Sequence, residues 1–172
     1  MAKVAFVLAE DFEDSEFQVP YDRLREAGHE VTVVGAVAGK AVRGKRGQSS
    51  HTLEAAPDQV DAGDFDALVI PGGYSPDKLR TEDGVVKLVQ GVLEQDRPVA
   101  AICHGPSLLV EADAVHRRTV TSWPSIRTDL TNAGAAWVDR EVVEDGNLIT
   151  SRKPGDLDAF VSALLRRLAT TD

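Results

Sequence analysis

Short apolar runs that alternate with longer helical patterns are the feature that most constrains the fold of this chain. The runs span residues 4–8, 31–34, 67–70 and 99–102, and the helical stretches lie near 14–27, 82–95 and 105–112. Strands that are apolar throughout are buried on both faces, and crossover helices connect parallel strands. The pattern therefore predicts an α/β fold with a mostly parallel sheet, and the length of 172 residues suits one domain over 1–172.

The remaining segments extend this pattern. Residues 40–55 alternate small and polar side chains and predict a hairpin. Residues 119–121, 136–143 and 148–151 predict further strands, and 156–168 has the apolar spacing of an amphipathic helix that packs on the core.

Charge and composition exclude several classes of function. The 19 Lys and Arg against 28 Asp and Glu give a net charge of −9, which disfavours binding to nucleic acid or anionic lipid. The amino terminus does not resemble a secretory signal and no segment is long enough to span a bilayer, so we expect a cytoplasmic location without membrane contact. With a single cysteine and no CxxC or HExxH motif, the sequence predicts neither a disulfide nor a metal site.

Open α/β sheets bind ligands beyond the carboxyl ends of their strands. Three loops qualify: residues 10–16, 71–78 and 103–106. The first is rich in carboxylates and lacks the glycines of a phosphate loop, so no flavin or nicotinamide cofactor is expected.

Cys103 lies at the predicted turn between an apolar strand and a helix, in the segment PVAAICHGP at 98–106. A helix N-terminus lowers the pKa of a thiol, and the thiolate is the nucleophilic form. We therefore expect a reactive Cys103 with His104 beside it as a base. A buried, structural cysteine is the alternative, because free cysteine is among the most buried residue types.

The other two loops offer groups that would assist a thiol. A carboxyl group of residues 10–16 is expected to reach Cys103 across the sheet edge and to donate a hydrogen bond if burial keeps it protonated. Gly72 and Gly73 directly follow a strand, so their backbone can approach a substrate, and Gly73 with the backbone of His104 is a candidate oxyanion site. Asp77 is the candidate that orients His104.

The order and spacing of several motifs resemble the PfpI-type intracellular protease family, within the superfamily of the Parkinsonism-associated deglycase. The resemblance covers nearly the whole chain and rests on DFEDSEF, PYDRLREAGHEV at 20–31, DALVIPGG at 66–73, AICHGP at 101–106 and TSWPSIRTDLTNAGAAWVD at 121–139. It implies a flavodoxin-like three-layer α/β/α sandwich of the class I glutamine amidotransferase type. It also implies a homodimer or a hexamer.

For the site, the resemblance implies that Cys103 is the nucleophile on a strained elbow, that Glu13 is hydrogen-bonded to it, and that His104 is its neighbour. In the protease-like members a glutamate after PGG reaches the histidine from an adjacent subunit. Asp77 takes that place here and is one methylene shorter. Trp123 stands where relatives often carry histidine or tyrosine, and we expect it to line a small substrate pocket with Tyr74.

These features predict a stress-protective, cysteine-dependent hydrolase or lyase that acts on reactive carbonyls or glycated adducts, free or on proteins, as a deglycase or glyoxalase-like enzyme without a cofactor. An intracellular cysteine peptidase is the alternative within the same class, although a short Asp77 would weaken a catalytic triad. A glutaminase is disfavoured because Ile102 precedes the cysteine. A non-catalytic redox sensor or chaperone is the alternative from another class, since such thiols are also prone to oxidation.

Overall fold

The computed structural model describes residues 1–170. Its strands are Lys3–Val7 (β1), Glu30–Val34 (β2), Ala41–Arg43 (β3), Ser50–Thr52 (β4), Ala67–Ile70 (β5), Val99–Ile102 (β6), Thr119–Val120 (β7), Ala136–Trp137 (β8), Val143–Asp145 (β9) and Leu148–Ser151 (β10). Its α-helices are Asp14–Glu26 (α1), Ser75–Leu79 (α2), Asp83–Glu94 (α3), Pro106–Glu111 (α4), Arg127–Asn132 (α5) and Leu157–Ala169 (α6). The predicted domain also includes residues 171 and 172, which lie outside the described residues.

Six strands form the central sheet in the order β2-β1-β5-β6-β10-β9. All neighbouring pairs are parallel except β10 and β9. The strand order reverses between β1 and β5, since β2 lies on the other side of β1, and such a switch point opens a crevice at the carboxyl ends of the strands. The three candidate loops follow β1, β5 and β6, which are adjacent, so the fold brings them together at this crevice.

The sheet is buried on both faces. One face packs on Phe17 of α1 and Phe160 of α6, and the other packs on Val89 of α3 and Leu108 of α4. The apolar side chains of β6 alternate between the two buried clusters, as expected for a strand without a solvent-facing side. This arrangement confirms the predicted flavodoxin-like three-layer sandwich.

The structure confirms one local expectation, corrects another and has a helix that continues through a proline. The hairpin within 40–55 is confirmed, with β3 antiparallel to β4. The single strand expected over 136–143 is wrong: β8 pairs with β7 in a separate sheet and β9 pairs with β10, because the charged residues 139–141 between them form no strand. Helix α1 continues through Pro20, which removes only one backbone donor from its ladder. Within residues 1–170, the helices are all too short or too polar to cross a membrane.

Candidate active site

Cys103 directly follows β6 and has a backbone φ of 63°, in the left-handed region that a side chain with a Cβ rarely adopts. Backbone hydrogen bonds hold it there: its N–H donates to the Ser151 carbonyl and its carbonyl accepts from the Trp123 N–H, both at 2.9 Å. The Gly105 N–H closes the turn on the Ile102 carbonyl at 2.8 Å. The structure therefore has the strained elbow that the sequence predicts.

His104 contacts the thiol in two ways. Its ring Nδ1 lies 3.4 Å from Cys103 Sγ, and its backbone N–H lowers the pKa of the thiol. Burial, helped by the charge of Lys45, lowers the pKa of the imidazole, so the ring is neutral near pH 7 and one nitrogen can accept a proton. The other ring nitrogen, Nε2, lies 3.2 Å from the hydroxyl of Ser125.

Glu16, and not Glu13, is the carboxyl group at the thiol. Glu16 is fully buried, its Oε1 accepts from the Gly72 N–H at 2.9 Å, and its Oε2 has no hydrogen-bond partner within the described chain. The carboxyl group and the Cys103 side chain both pack against Gly72, and each shifts the pKa of the other. The prediction for Glu13 is wrong because its side chain caps α1, where it accepts from the Glu16 N–H at 2.9 Å and the Ser15 hydroxyl at 2.5 Å. One turn of helix thus separates the two roles.

The thiol and the Glu16 carboxyl group titrate as a coupled pair, because the protonation state of each acts on the other. Burial, with a contribution from the negative charge of Glu13, raises the pKa of Glu16 to about 8. Burial and the neighbouring Glu16 carboxylate raise the pKa of Cys103 to about 12. The expected lowering of the thiol pKa is therefore wrong, because burial outweighs the amide donors of the six-residue α4.

The coupling to the thiol sets the protonation state of Glu16. Near neutral pH the Glu16 carboxyl group is protonated, so it carries no charge that would repel a thiolate. When the pair has lost one proton, the remaining proton is shared between carboxyl oxygen and sulfur. Glu16 can then donate its proton to a group that develops negative charge beside the sulfur.

The two glycines after β5 differ in their roles. The Gly72 N–H donates to Glu16, so Gly72 does not offer its amide to a substrate, contrary to the expectation for these two glycines. A Cβ at Gly72 would overlap the Glu16 carboxyl and lie 2.8 Å from the Cβ of Cys103, so glycine is required for their close approach. Gly73 has a φ of 78°, and its N–H donates to no protein acceptor within residues 1–170, so it stays a candidate oxyanion donor with the His104 N–H.

Tyr74 follows Gly73, and the Trp123 N–H donates to the Cys103 carbonyl, so both lie at the rim of the site, whereas Asp77 lies further along, in α2. Asp77 is exposed and makes no hydrogen bond to His104 within the described part of this single chain; Ser125, which no sequence signal identified, contacts the imidazole instead. Tyr74 and Trp123 are 65% and 40% exposed, so they border the thiol rather than enclose it. In residues 1–170 the acidic, cysteine and histidine side chains form no group of three or more that would hold a metal ion.

Asp14 joins the acidic loop to the β3–β4 hairpin. Its buried carboxylate accepts hydrogen bonds from the backbone N–H groups of Arg46, Gln48 and Ser49 at 2.8–2.9 Å. Burial alone would raise the pKa of Asp14, but these three donors outweigh it and hold the pKa below its usual value. The hairpin is thereby attached to the start of α1, beside Glu16.

A strained cysteine turn at the switch point of a doubly wound sheet is typical of α/β proteins that use the thiol as a nucleophile. The chain belongs to the DJ-1/PfpI family, whose model matches residues 2–167. This finding confirms the resemblance to the PfpI-type proteins.

Individual relatives cover nearly all of the chain. It is 49% identical over 159 residues to "General stress protein 18" of Bacillus subtilis, covering 92% of each chain. It is 46% identical over 167 residues to "Protein/nucleic acid deglycase 2" of Escherichia coli, covering 96% of this chain and 97% of that one. A crystal structure of a two-domain protein from Anabaena variabilis, with DJ-1/ThiJ/PfpI-like and ferritin-like domains, has a TM-score of 0.97 and 44% identity over 98% of this chain, which spans 48% of that protein.

Proposed function

We propose that this protein is a stress-protective enzyme in which Cys103 attacks reactive 2-oxoaldehydes or their adducts on thiols and amines. The observation that carries the proposal is the buried Glu16 carboxyl group beside the Cys103 thiol. A raised carboxyl pKa supplies a proton donor at the place where a carbonyl oxygen becomes negative. The names of the two relatives above, a deglycase and a general stress protein, support the same activity.

The first step forms a bond between sulfur and the aldehyde carbon. The electron pair of the C=O bond moves to oxygen, which takes a proton from Glu16 while the Cys103 thiol passes its own proton to Glu16, and a hemithioacetal results. The candidate donors at this oxygen are the N–H groups of Gly73 and His104. No cofactor is needed for this addition, because the thiolate supplies the electron pair.

The second step moves hydrogen within the bound molecule. His104 removes the proton from the carbon bonded to sulfur while the neighbouring carbonyl oxygen takes a proton, which gives an enediol. The second carbon is then protonated by His104 and the hydroxyl proton of the first carbon is lost to solvent, which replaces the proton taken up by the second oxygen and leaves a thioester. Water then hydrolyses the thioester to a 2-hydroxy acid and restores the thiol. The first carbon is oxidised and the second is reduced, so a 2-oxoaldehyde and water give a 2-hydroxy acid without an external oxidant. For an adduct, the original thiol or amine is released as well.

A cysteine peptidase is the second candidate, and the 3.4 Å distance between Cys103 Sγ and His104 Nδ1 favours it. Peptide hydrolysis requires His104 to protonate an amine leaving group. Within the described chain its other nitrogen contacts the hydroxyl of Ser125 rather than a carboxylate, which gives an imidazolium little support. Carbonyl chemistry makes a smaller demand, because Glu16 supplies the proton.

The test is turnover of methylglyoxal in large molar excess, with lactate measured over time. We expect many equivalents of lactate per protein and none from Cys103→Ser. Consumption of one equivalent that then stops would contradict the proposal and indicate a redox sensor or a simple thiol trap. Cleavage of unfolded polypeptides that vanishes in Cys103→Ser, without lactate formation, would establish the peptidase.

We also propose that the protein works in the cytoplasm as a homodimer or hexamer. Tyr74 and Trp123 are large side chains exposed beside the site, and Asp77 has no partner within residues 1–170. A second copy that covers this rim would explain both features. Light scattering after size-exclusion chromatography tests the oligomer, and a monomer at micromolar concentration would overturn it.

A further inference from the structure

The β3–β4 hairpin is basic although the protein is acidic. Residues 40–46, KAVRGKR, contain four cationic side chains and no acidic one, in a chain with a net charge of −9. The acidic loop 10–16 lies directly beside this segment. Such a local reversal of charge beside the proposed nucleophile would attract a negatively charged substrate.

The hairpin is held against the site by the backbone and not by its cationic groups. The Lys45 N–H donates to the Phe12 carbonyl at 2.8 Å, and the Asp11 N–H donates to the Arg43 carbonyl at 2.8 Å. The carboxylate of Asp14 binds three further amide donors of the hairpin, those of Arg46, Gln48 and Ser49. The backbone of Lys45 therefore has a fixed position next to the loop that carries Glu16.

The Lys45 side chain is exposed, and its ammonium group makes no ion pair or hydrogen bond within residues 1–170. Its charge nevertheless acts on three groups of the site. Burial is the largest influence on the pKa of Glu16, Cys103 and His104, and the positive charge of Lys45 lowers all three. With its backbone fixed against Phe12, an unpaired cation thus acts on the site from the neighbouring hairpin.

We propose that Lys45 binds a carboxylate of the substrate and so directs Cys103 toward adducts of 2-oxoaldehydes that carry one negative charge close to the reacting carbon. This inference rests on the proposed function, whose substrate class it narrows. Adducts on the thiol of a cysteine derivative or a small peptide have such a carboxylate, whereas free methylglyoxal has none. A monoanion fits better than a phosphate dianion, because Glu10 and Asp11 lie in the neighbouring loop.

The first experiment measures the charge at the sulfur without relying on turnover. Cys103 is alkylated with iodoacetate, a carboxylate, and with neutral iodoacetamide of nearly the same size, and intact mass gives both rate constants. Lys45→Gln should lower the ratio of iodoacetate to iodoacetamide rates about fivefold, and 0.5 M NaCl should lower the wild-type ratio similarly. Lys45→Arg should retain the ratio, and Arg46→Gln, an exposed neighbour in the same hairpin, should leave it unchanged.

The second experiment uses two substrates that differ only in charge. Adducts of methylglyoxal with N-acetylcysteine and with N-acetylcysteine amide are compared at equal free methylglyoxal. We expect the wild type to prefer the carboxylate adduct in kcat/KM by about fivefold to tenfold, and Lys45→Gln to lose most of that preference. Arg46→Gln should keep it.

The outcomes separate this inference from the proposed function. If neither adduct is turned over but the alkylation ratio falls in Lys45→Gln, the proposed function fails while the anion site remains. If both adducts are turned over and Lys45→Gln changes neither ratio, Lys45 does not select the substrate and this inference is overturned. A fall of both ratios in Arg46→Gln as large as in Lys45→Gln would also overturn it, because the effect would then belong to the hairpin as a whole.

Discussion

The elbow at 102–106 and the acidic loop at 10–16 meet at the same sheet edge but are held in different ways. Backbone-to-backbone hydrogen bonds to Ser151, Trp123 and Ile102 position the elbow. The acidic loop also has backbone hydrogen bonds to the hairpin and to Gly72, but it is held in addition by side-chain carboxylates that accept from backbone amides. The elbow should therefore tolerate most side-chain changes except those that fill space, whereas the acidic loop should respond to the loss of single carboxyl oxygens.

Neighbouring carboxylates of the acidic loop have different roles. Glu13 caps α1, Asp14 holds the hairpin, and Glu16 faces the thiol. All three are buried, although their sequence looks like a solvated helix start. A matched series of amide substitutions should separate these roles.

The largest effect in this series is expected for Glu16→Gln. Turnover of methylglyoxal should fall about 100-fold, because an amide cannot donate a proton as an acid does. Alkylation of Cys103 by iodoacetamide should rise in two steps with pH in the wild type, the first near pH 8, since the thiol and Glu16 share a proton. Glu16→Gln should show one step only.

Glu13→Gln is the matched control, because it removes a neighbouring carboxylate that caps the helix without touching the thiol. It should keep both steps, with the first at slightly lower pH, since the charge of Glu13 raises the pKa of Glu16. Two steps in Glu16→Gln, or one step in Glu13→Gln, would show that the assignment of the carboxyl group is wrong.

The elbow is probed by Gly105→Ala. A Cβ at Gly105 would lie 2.6 Å from the Ile70 carbonyl and 2.9 Å from the Ile102 carbonyl, and the rigid backbone cannot yield easily. We expect the free energy of unfolding to fall by about 2–3 kcal/mol in urea denaturation. Gly155→Ala is the control, because no atom lies within 4 Å of its added Cβ. Equal stability of the two variants would contradict the packing described for the elbow.

Asp14→Asn should cost about 2 kcal/mol of stability at pH 7, since one carboxylate serves three buried or partly buried amide donors. The folded state lowers the pKa of Asp14, so its stabilisation is present above the usual aspartate pKa and is lost as the pH falls through the folded-state value. The stability difference between wild type and variant should therefore shrink below about pH 4. A difference that is independent of pH from 2 to 7 would contradict this account.

The smallest effect is expected for Ser125→Ala. Its hydroxyl lies at the exposed side of the site and can donate to or accept from His104 Nε2, so it orients the ring without selecting one tautomer. We expect kcat/KM to fall about threefold with no change in stability. Ser125→Thr, which keeps the hydroxyl, should restore most of the activity, and a hundredfold loss would instead place Ser125 in the proton transfer itself.

The fold and the elbow were accessible from the sequence because their causes are local. Apolar runs of 4–5 residues imply buried strands, and a glycine and a proline after a strand imply a tight turn into a helix. The positions of Cys103 and His104 follow directly from that turn. The strands β7 and β8 of the small second sheet also lie within segments that the sequence predicted as strands. The charged residues that end β8 before β9 were not recognised.

The partners across loops were decided only by the tertiary structure. Several carboxylates in residues 10–16 could have been the partner of the thiol. The start of α1 decides between them, because Glu13 caps the helix and Glu16 faces the thiol. The same packing occupies the amide of Gly72 and brings Lys45 to the site from more than 50 residues before Cys103. The sequence by itself determined the strands of the sheet, the turn and the position of the cysteine on it, since these depend on near neighbours. Which carboxyl group, amide and cation surround the sulfur depends on distances between segments, which only the folded chain defines.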